Sequence, residues 1–248
     1  MDINNIFARH KQIAFQLSGG KDSVAALFLL RPYWDQMVVY FCNSGDMKPE
    51  LTSVVARLST MLSRFVVVPG RVFSTHQEFG LPSDLVPFTS SYASHVHNAG
   101  STLLLQDRVS CCFRSIMAPL HERMLHDSIT MIIRGQKNND VLKGCFKSGD
   151  VVDGIEFFYP VENWTDDECF DFCNHHGFDM RSVYSTGIPH SGDCITCTAW
   201  LGEDRAHYVR KHAPEKFNQY QSNIRKIGAA IAPVLNTFRA ELEAVNGY

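Results

Sequence analysis

Two groups of residues have the types and spacing to do chemistry. The first is Ser18-Gly19-Gly20-Lys21-Asp22-Ser23, which sits between two apolar runs. Paired glycines let a backbone turn sharply and approach a ligand closely. The N–H groups at a helix start lack intrahelical partners and favour an anion. Ser18 and Ser23 add hydroxyl donors and Lys21 a full positive charge. The loop is not the Walker type, which needs four residues between its first glycine and Gly-Lys-Ser or Gly-Lys-Thr. A serine-capped glycine turn is the bland alternative, and a strand before with a helix after argues against it. The second group is four cysteines in two pairs, Cys111-Cys112 and Cys194-Ile195-Thr196-Cys197. A CxxC turn sets two thiolates on one side of a tight loop, as in both zinc and iron–sulfur sites. A helix start beside Cys111 and Cys112 would lower their pKa and favour the thiolate. Spacing alone leaves iron–sulfur, zinc and unliganded core cysteines open.

The elements that must position these groups follow from apolar patterning. Lys11 to Leu17 reads as a buried strand, Asp22 to Leu30 as an apolar helix closed by Pro32, and Met37 to Cys42 as a parallel strand. Pro49 to Ser63 has helical spacing, and Phe65 to Val68 reads as a third strand. Pro69 to Gly100 reads as irregular, the kind of long loop that is usually functional or mobile. A helix is expected near Arg114 to His126, strands at Ile129 to Arg134 and Ile155 to Tyr159, and a helix from Thr165 to His175. Thr165 and Glu168 fit the N-cap and N3 positions of a capping box. Short helices are expected at Asp204 to His212 and Pro214 to Ile227. Strands alternating with helices imply an α/β, doubly wound, mostly parallel sheet, with a small helical C-terminal part. The expected division is a nucleotide-binding domain over 1–200 and a helical extension over 201–248. Ligands in such sheets sit at the C-terminal ends of the strands, which brings Asn43, Gly45, Arg134 and Lys137 into view beside the glycine loop. A plain turn at Asn43-Ser44-Gly45-Asp46 and a solvated loop charge at Lys137 are equally good readings of those residues alone.

Composition bounds the function classes. The 248 residues are 45% hydrophobic and 20% charged with a formal net charge of −3, so no global basic footprint marks a simple nucleic-acid binder. No apolar run reaches the roughly 18–20 residues of a membrane span, and the polar N-terminus does not read as a signal peptide. The expectation is a cytoplasmic protein whose clustered cysteines serve metal or redox chemistry rather than disulfides. Cys42, Cys145, Cys169 and Cys173 read as buried hydrophobes, with Cys145 singled out by its polar loop between Lys143 and Lys147. The histidines show no metal-ligand spacing, although His190 lies close to the CxxC.

The Ser18–Ser23 segment resembles the pyrophosphate loop, SGGKDS, of the ATP pyrophosphatase and phosphoadenosine phosphosulfate (PAPS) reductase superfamily. The cysteine layout resembles that of assimilatory adenylylsulfate (APS) reductases, which bind a four-iron cluster through a Cys-Cys pair and a distant CxxC. Further segments extend the likeness in the same order. They are Cys111 to Leu120, Ile132-Ile133-Arg134-Gly135-Gln136-Lys137, Tyr159 to Asp166 with its Trp164-Thr165, and Ser191 to Thr198. The resemblance implies that Ser18, Gly19, Gly20, Lys21, Asp22 and Ser23 hold the phosphates of an adenine nucleotide. It implies that Asn43 and Gly45 meet the adenosine, and that Arg134 and Lys137 meet a phosphate or sulfate. Lys21, Asp22 and Arg134 would then be the catalytic residues, and Cys111, Cys112, Cys194 and Cys197 would hold a 4Fe-4S cluster, with zinc as the alternative.

One departure matters. Sulfonucleotide reductases of this family carry a catalytic cysteine in a mobile tail, and no cysteine follows Cys197 here. The favoured expectation is therefore an ATP pyrophosphatase in sulfur transfer, like the relatives in DNA phosphorothioation and the iron–sulfur tRNA thiolases. These activate an oxygen with ATP and Mg²⁺ and then replace it with sulfur. An APS or PAPS reductase, with Cys145 as substitute thiol, is the alternative, and a non-catalytic nucleotide sensor is the alternative of another class. Expected partners are the nucleotide, a sulfur donor such as a cysteine desulfurase and a nucleic-acid acceptor. A homodimer is compatible with this reading, and no membrane is involved.

Overall fold

The computed structural model describes residues 3–97, 103–140, 144–188, 194–202 and 204–246. The chain opens with helix α1 (Ile3–Arg9), strand β1 (Ile13–Leu17), α2 (Lys21–Leu29), β2 (Met37–Asn43), α3 (Pro49–Ser59) and β3 (Phe65–Pro69). It continues with α4 (Val72–Phe79), β4 (Leu81–Pro82), α5 (Tyr92–Val96), β5 (Leu105–Gln106), α6 (Arg108–Cys112) and α7 (Ala118–His126). Then come β6 (Met131–Arg134), β7 (Val151–Val152), β8 (Ile155–Phe158), α8 (Asp166–His175), α9 (Met180–Tyr184), α10 (Arg205–His212) and α11 (Pro214–Asn246). The chain divides into two compact units, one of residues 1–70 and 116–194, the other of 71–115 and 195–248. These bounds differ from a single boundary after residue 200, because the second unit takes an early segment as well as the C-terminal helices.

The first unit is built on a six-stranded sheet in the order β3-β2-β1-β6-β8-β7. Every pairing is parallel except that of edge strand β7 with β8. This is the α/β, mostly parallel architecture expected from the sequence. All five residues of β1 are buried, as a strand covered on both faces requires. Alternation divides them: Ile13, Phe15 and Leu17 enter a core with α2, α3 and α8, and Ala14 enters a second core on the other face with Leu120 and Met124 of α7. Helix α2 is buried nearly all round, from Lys21 to Phe28, which is why its pattern lacks a polar face. Pro32 does follow α2, in a 3-10 turn over Arg31–Gln36. At α8 both halves of the capping box form: Glu168 N donates to Thr165 Oγ1 at 3.2 Å and Thr165 N donates to Glu168 Oε2 at 2.7 Å.

The second unit corrects two expectations. The stretch expected to be irregular holds α4, β4 and α5, because its Ser- and His-rich composition hides short amphipathic turns. The last helix runs 33 residues, far past Ile227, since Gly228 and Pro233 do not break it. Strand β4 pairs in parallel with β5, and Leu105, Ile227 and Ile231 form a small core with Leu81, Val86 and Leu103.

Candidate functional site

The chain winds from β1 outward through β2 to β3, then returns to place β6 on the opposite side of β1. The carboxyl ends of β1 and β6 therefore form a topological switch point, the crevice where open α/β sheets bind ligands. Two loops meet there, Ser18-Gly19-Gly20 after β1 and Gly135-Gln136-Lys137 after β6.

The glycines are used in different ways. Gly19 takes φ +81°, which L side chains rarely adopt, and so turns the chain from β1 into α2. Gly135 packs against the first turn of α2 so tightly that a Cβ there would lie 2.4 Å from Ser23 N and 2.5 Å from Asp22 O. Only glycine lets the end of β6 reach the start of α2. Local hydrogen bonds fix the loop: Ser18 Oγ donates to Ser23 Oγ at 3.0 Å and accepts from Gly20 N at 3.2 Å, while Ser23 Oγ donates to Gly20 O at 2.9 Å. Lys21 N donates to the Tyr184 hydroxyl at 3.2 Å.

A cavity of about 330 Å³ opens at this point, lined among others by Ser18, Gly20, Asp22, Ser23, Arg134 and Gln136. Its volume lies in the range of small-molecule sites. Arg134, at the end of β6, reaches it with its Nε buried and without a hydrogen-bond partner. Burial pulls the Arg134 pKa down from its ordinary value, and the guanidinium still keeps its charge at neutral pH. A buried donor with no acceptor is costly unless a ligand supplies one.

Lys21 and Lys137 are engaged with carboxylates rather than lining the cavity. Lys21 Nζ lies 3.0 Å from Asp22 Oδ2 and 3.2 Å from Asp166 Oδ1. Lys137 Nζ lies 3.1 Å from Asp22 Oδ1 and also pairs with Asp166 Oδ1. The Lys137 ammonium is the ion partner of the buried Asp22 Oδ1. Two ammonium and two carboxylate groups thus form a neutral cluster behind the loop. Burial lowers the pKa of both lysines, and the carboxylates more than offset it, so both lie above the ordinary value. Burial raises that of Asp166, and the two lysines outweigh it, holding the carboxyl below its ordinary value. Phe170 and Tyr184 face the Lys21 ammonium at 5.5 and 5.3 Å.

Asn43 and Gly45 do not line the cavity. Asn43 Oδ1 accepts from Gly45 N at 2.9 Å, and Gly45 has φ +78°, the geometry of a closed turn. Sequence reasoning missed four residues that shape the site. Asp166 figures in the sequence only as the end of the Tyr159–Asp166 segment at the entry to a helix. Tyr184 carries no motif. Gln136 has its Oε1 accepting from Gly144 N at 2.9 Å. Lys48 is fully buried and donates to Val183 O at 2.6 Å and Ile188 O at 3.2 Å, which pins the segment carrying Tyr184.

The cysteines divide by unit. Cys111, Cys112 and Cys197 belong to the second unit, and Cys194 ends the first. Cys111 Sγ lies 3.5 Å from His76 Nε2 and close enough to Cys197 for their charges to couple. Cys111 lies in the first turn of a helical run that passes from α6 through a π turn over Phe113–Met117 into α7, yet burial pushes its pKa up to about 11. The donor chemistry suits a thiophilic metal, yet among the described residues no three His, Cys, Asp or Glu side chains converge to hold one. Cys42, Cys169 and Cys173 are buried as expected, whereas Cys145 is exposed. Cys173 Sγ donates to Lys21 O at 3.3 Å, and burial raises its pKa to about 12. His190, Lys143 and the Ser191-Gly192-Asp193 part of the CxxC motif lie outside the described residues. No helix among the described residues is long and apolar enough to cross a membrane.

No family model matches the sequence, and no curated protein matches it. Solved structures similar in fold include a phosphoadenylyl-sulfate (PAPS) reductase from Candida auris in a phosphate complex. It is 10% identical with a TM-score of 0.47, over 71% of this chain and 78% of that one. A U34-tRNA thiolase from Methanococcus maripaludis with its 4Fe-4S cluster is 14% identical with a TM-score of 0.39, over 90% and 73%. An NH3-dependent NAD synthetase from Campylobacter jejuni, in complex with nitrate, is 12% identical with a TM-score of 0.44, over 91% and 94%.

Proposed function

We propose that this protein binds ATP at the switch point and is a pyrophosphate-releasing enzyme acting in sulfur transfer. The observation that carries the nucleotide half is the cavity between β1 and β6, where the glycine loop and an Arg134 donor without an acceptor meet. The start of α2, whose backbone N–H groups have no intrahelical partners, favours a developing pyrophosphate charge. Arg134 offers a planar, permanently charged donor to a phosphate oxygen.

Lys21 and Lys137 act by exchange. Before the nucleotide enters, Asp22 and Asp166 neutralise them. A triphosphate brings more charge than one carboxylate, so the ammonium groups move from Asp166 to the phosphates and the buried cluster stays compensated. Asp22, which lines the cavity, is the carboxylate that would hold Mg²⁺. When bound, the ion would neutralise phosphate charge.

The sulfur half rests on the two cysteine pairs and on the proximity of Cys111 to Cys197. The partners that fit are a sulfur donor and an acceptor with an oxygen to be replaced, such as a nucleic acid. The test measures ATP binding by calorimetry, then pyrophosphate release with candidate acceptors. Alongside, iron, sulfide and zinc analysis of anaerobic protein is combined with alkylation of Cys111, Cys112, Cys194 and Cys197. Absence of ATP binding would remove the nucleotide reading. Four freely alkylated, metal-free thiols together with acceptor-independent turnover would remove the sulfur reading.

A further inference from the structure

The first unit holds a second cavity, of about 340 Å³, at the other end of its sheet. Gln12, Val38, Arg64, Val66, Arg123 and Asp127 are among the residues that line it. Its floor is apolar. Alternation puts Val38 and Tyr40 of β2 on one face, and register sets Val66 of β3 beside Tyr40. All three pack into the core that α7 covers.

The rim is charged, and part of it is fixed. Tyr40 Oη donates to Asp127 Oδ2 at 2.7 Å, and Arg123 Nε donates to the same oxygen at 2.8 Å. His126 Nδ1 lies 3.1 Å from Oδ1. The His126 hydrogen bond, joined against the cost of burial by those of Tyr40 and Arg123, holds the Asp127 carboxyl down at about 2. Asp127 is therefore ionised and engaged on both oxygens. Its bond to Nε orients the Arg123 guanidinium, whose two terminal amino groups remain available. Arg64, just before β3, is exposed, with no ion-pair or hydrogen-bond partner for its side chain among the described residues. The charges of Arg64 and Arg123 are both felt at the Tyr40 hydroxyl. Two guanidinium groups against one carboxylate leave this cavity with one net positive charge.

We propose that this cavity is a second ligand site that takes a small organic monoanion, a carboxylate carried on an apolar body. The carboxylate meets the planar donors of Arg64 and Arg123, and the body lies on Val38 and Val66. An apolar floor with a few converging polar groups is the ordinary make-up of a small-molecule site. One negative charge balances the cavity, whereas a phosphate monoester dianion would leave an excess beside Asp127. Strand β1 runs from Gln12 at this end to Ser18 at the other, about 20 Å at the rise of a strand. The occupant is thus too far from the switch point to react with a nucleotide there, and the inference is independent of the ATP reading.

The test follows the methyl resonances of Val38 and Val66 in the full chain during titration with benzoate. Saturable shifts below about 10 mM are expected, an ordinary affinity for so small a ligand. Acetate lacks the body and benzyl alcohol lacks the charge, and each binds at least about tenfold more weakly. Arg64→Gln lowers benzoate affinity about tenfold, the loss of a charge-assisted contact, with an unchanged urea midpoint and unchanged ATP affinity. Arg123→Gln, in which Tyr40 still holds Asp127, does the same to benzoate. Absence of saturation, an equal response in Arg64→Gln, or shifts confined to Leu120 in the nucleotide cavity overturns the site. Tighter binding of phenyl phosphate than of benzoate overturns the choice of a carboxylate.

Discussion

Asp166→Asn separates the exchange model from a purely structural ion cluster. Asp166 Oδ1 pairs with both Lys21 and Lys137, and its side chain is 60% exposed. Charge-assisted hydrogen bonds to buried groups contribute about 1.5–3 kcal/mol each, and solvent screening at this exposure cuts the net loss to about 1 kcal/mol. The variant should therefore unfold at a slightly lower urea midpoint. Nucleotide affinity should move the other way. With the competing carboxylate neutral, the cluster carries an excess positive charge that a phosphate can satisfy, so ATP should bind about fivefold more tightly. The pH dependence has a definite sign. The folded pKa of Asp166 lies below the ordinary carboxylate value. Its contribution is present above the unfolded pKa of about 3.9 and is lost as pH falls through the folded value. The stability gap between parent and variant should stay constant from neutral pH to about pH 4 and close below that. Calorimetry with ATP and urea unfolding at several pH values measure both halves. Weaker ATP binding in Asp166→Asn would refute the exchange and make Asp166 a part of the ligand site in its own right.

Lys21→Ala should weaken ATP binding by about 1.5–3 kcal/mol, the worth of a hydrogen bond to a charged group, and equal affinity by calorimetry would remove Lys21 from the site. Gly135→Ala forces a Cβ to 2.4 Å from Ser23 N. Since backbone rather than a side chain must yield, a loss of about 3 kcal/mol in urea unfolding is expected, and an unchanged midpoint would show that β6 and α2 are not in such close approach. Brief iodoacetamide treatment at pH 8 with peptide mass spectrometry should label exposed Cys145 well before Cys111, whose burial holds its thiol near pKa 11. The reverse order would contradict the packing of α6.

Local pattern was sufficient for the sheet and for the loop. The fully buried run Ile13–Leu17, the glycines after it and the apolar helix that follows specify a strand–turn–helix without reference to anything distant. The capping box at Thr165 and Glu168 was likewise legible, because a cap is a four-residue event. Patterning was weakest where short helices have mixed faces, as in α4 and α5, and in α11, which runs on past Ile227 through Gly228 and Pro233.

What the sequence determined by itself is the set of groups at the end of β1: paired glycines, two serines, a lysine and an aspartate within six residues. What only the tertiary structure decided is how those groups are charged and engaged. Lys137 and Asp166 lie far along the chain from Lys21 and Asp22, and no local pattern pairs them. The parallel register of β1 with β6, and the packing of α8 against α2, bring the four together. With Lys21, Asp22 and Lys137 drawn out of water there, each of those charges needs an opposite partner, since desolvation is costly without one. That requirement draws Asp166, the first residue of α8, into the site and holds both lysines on carboxylates.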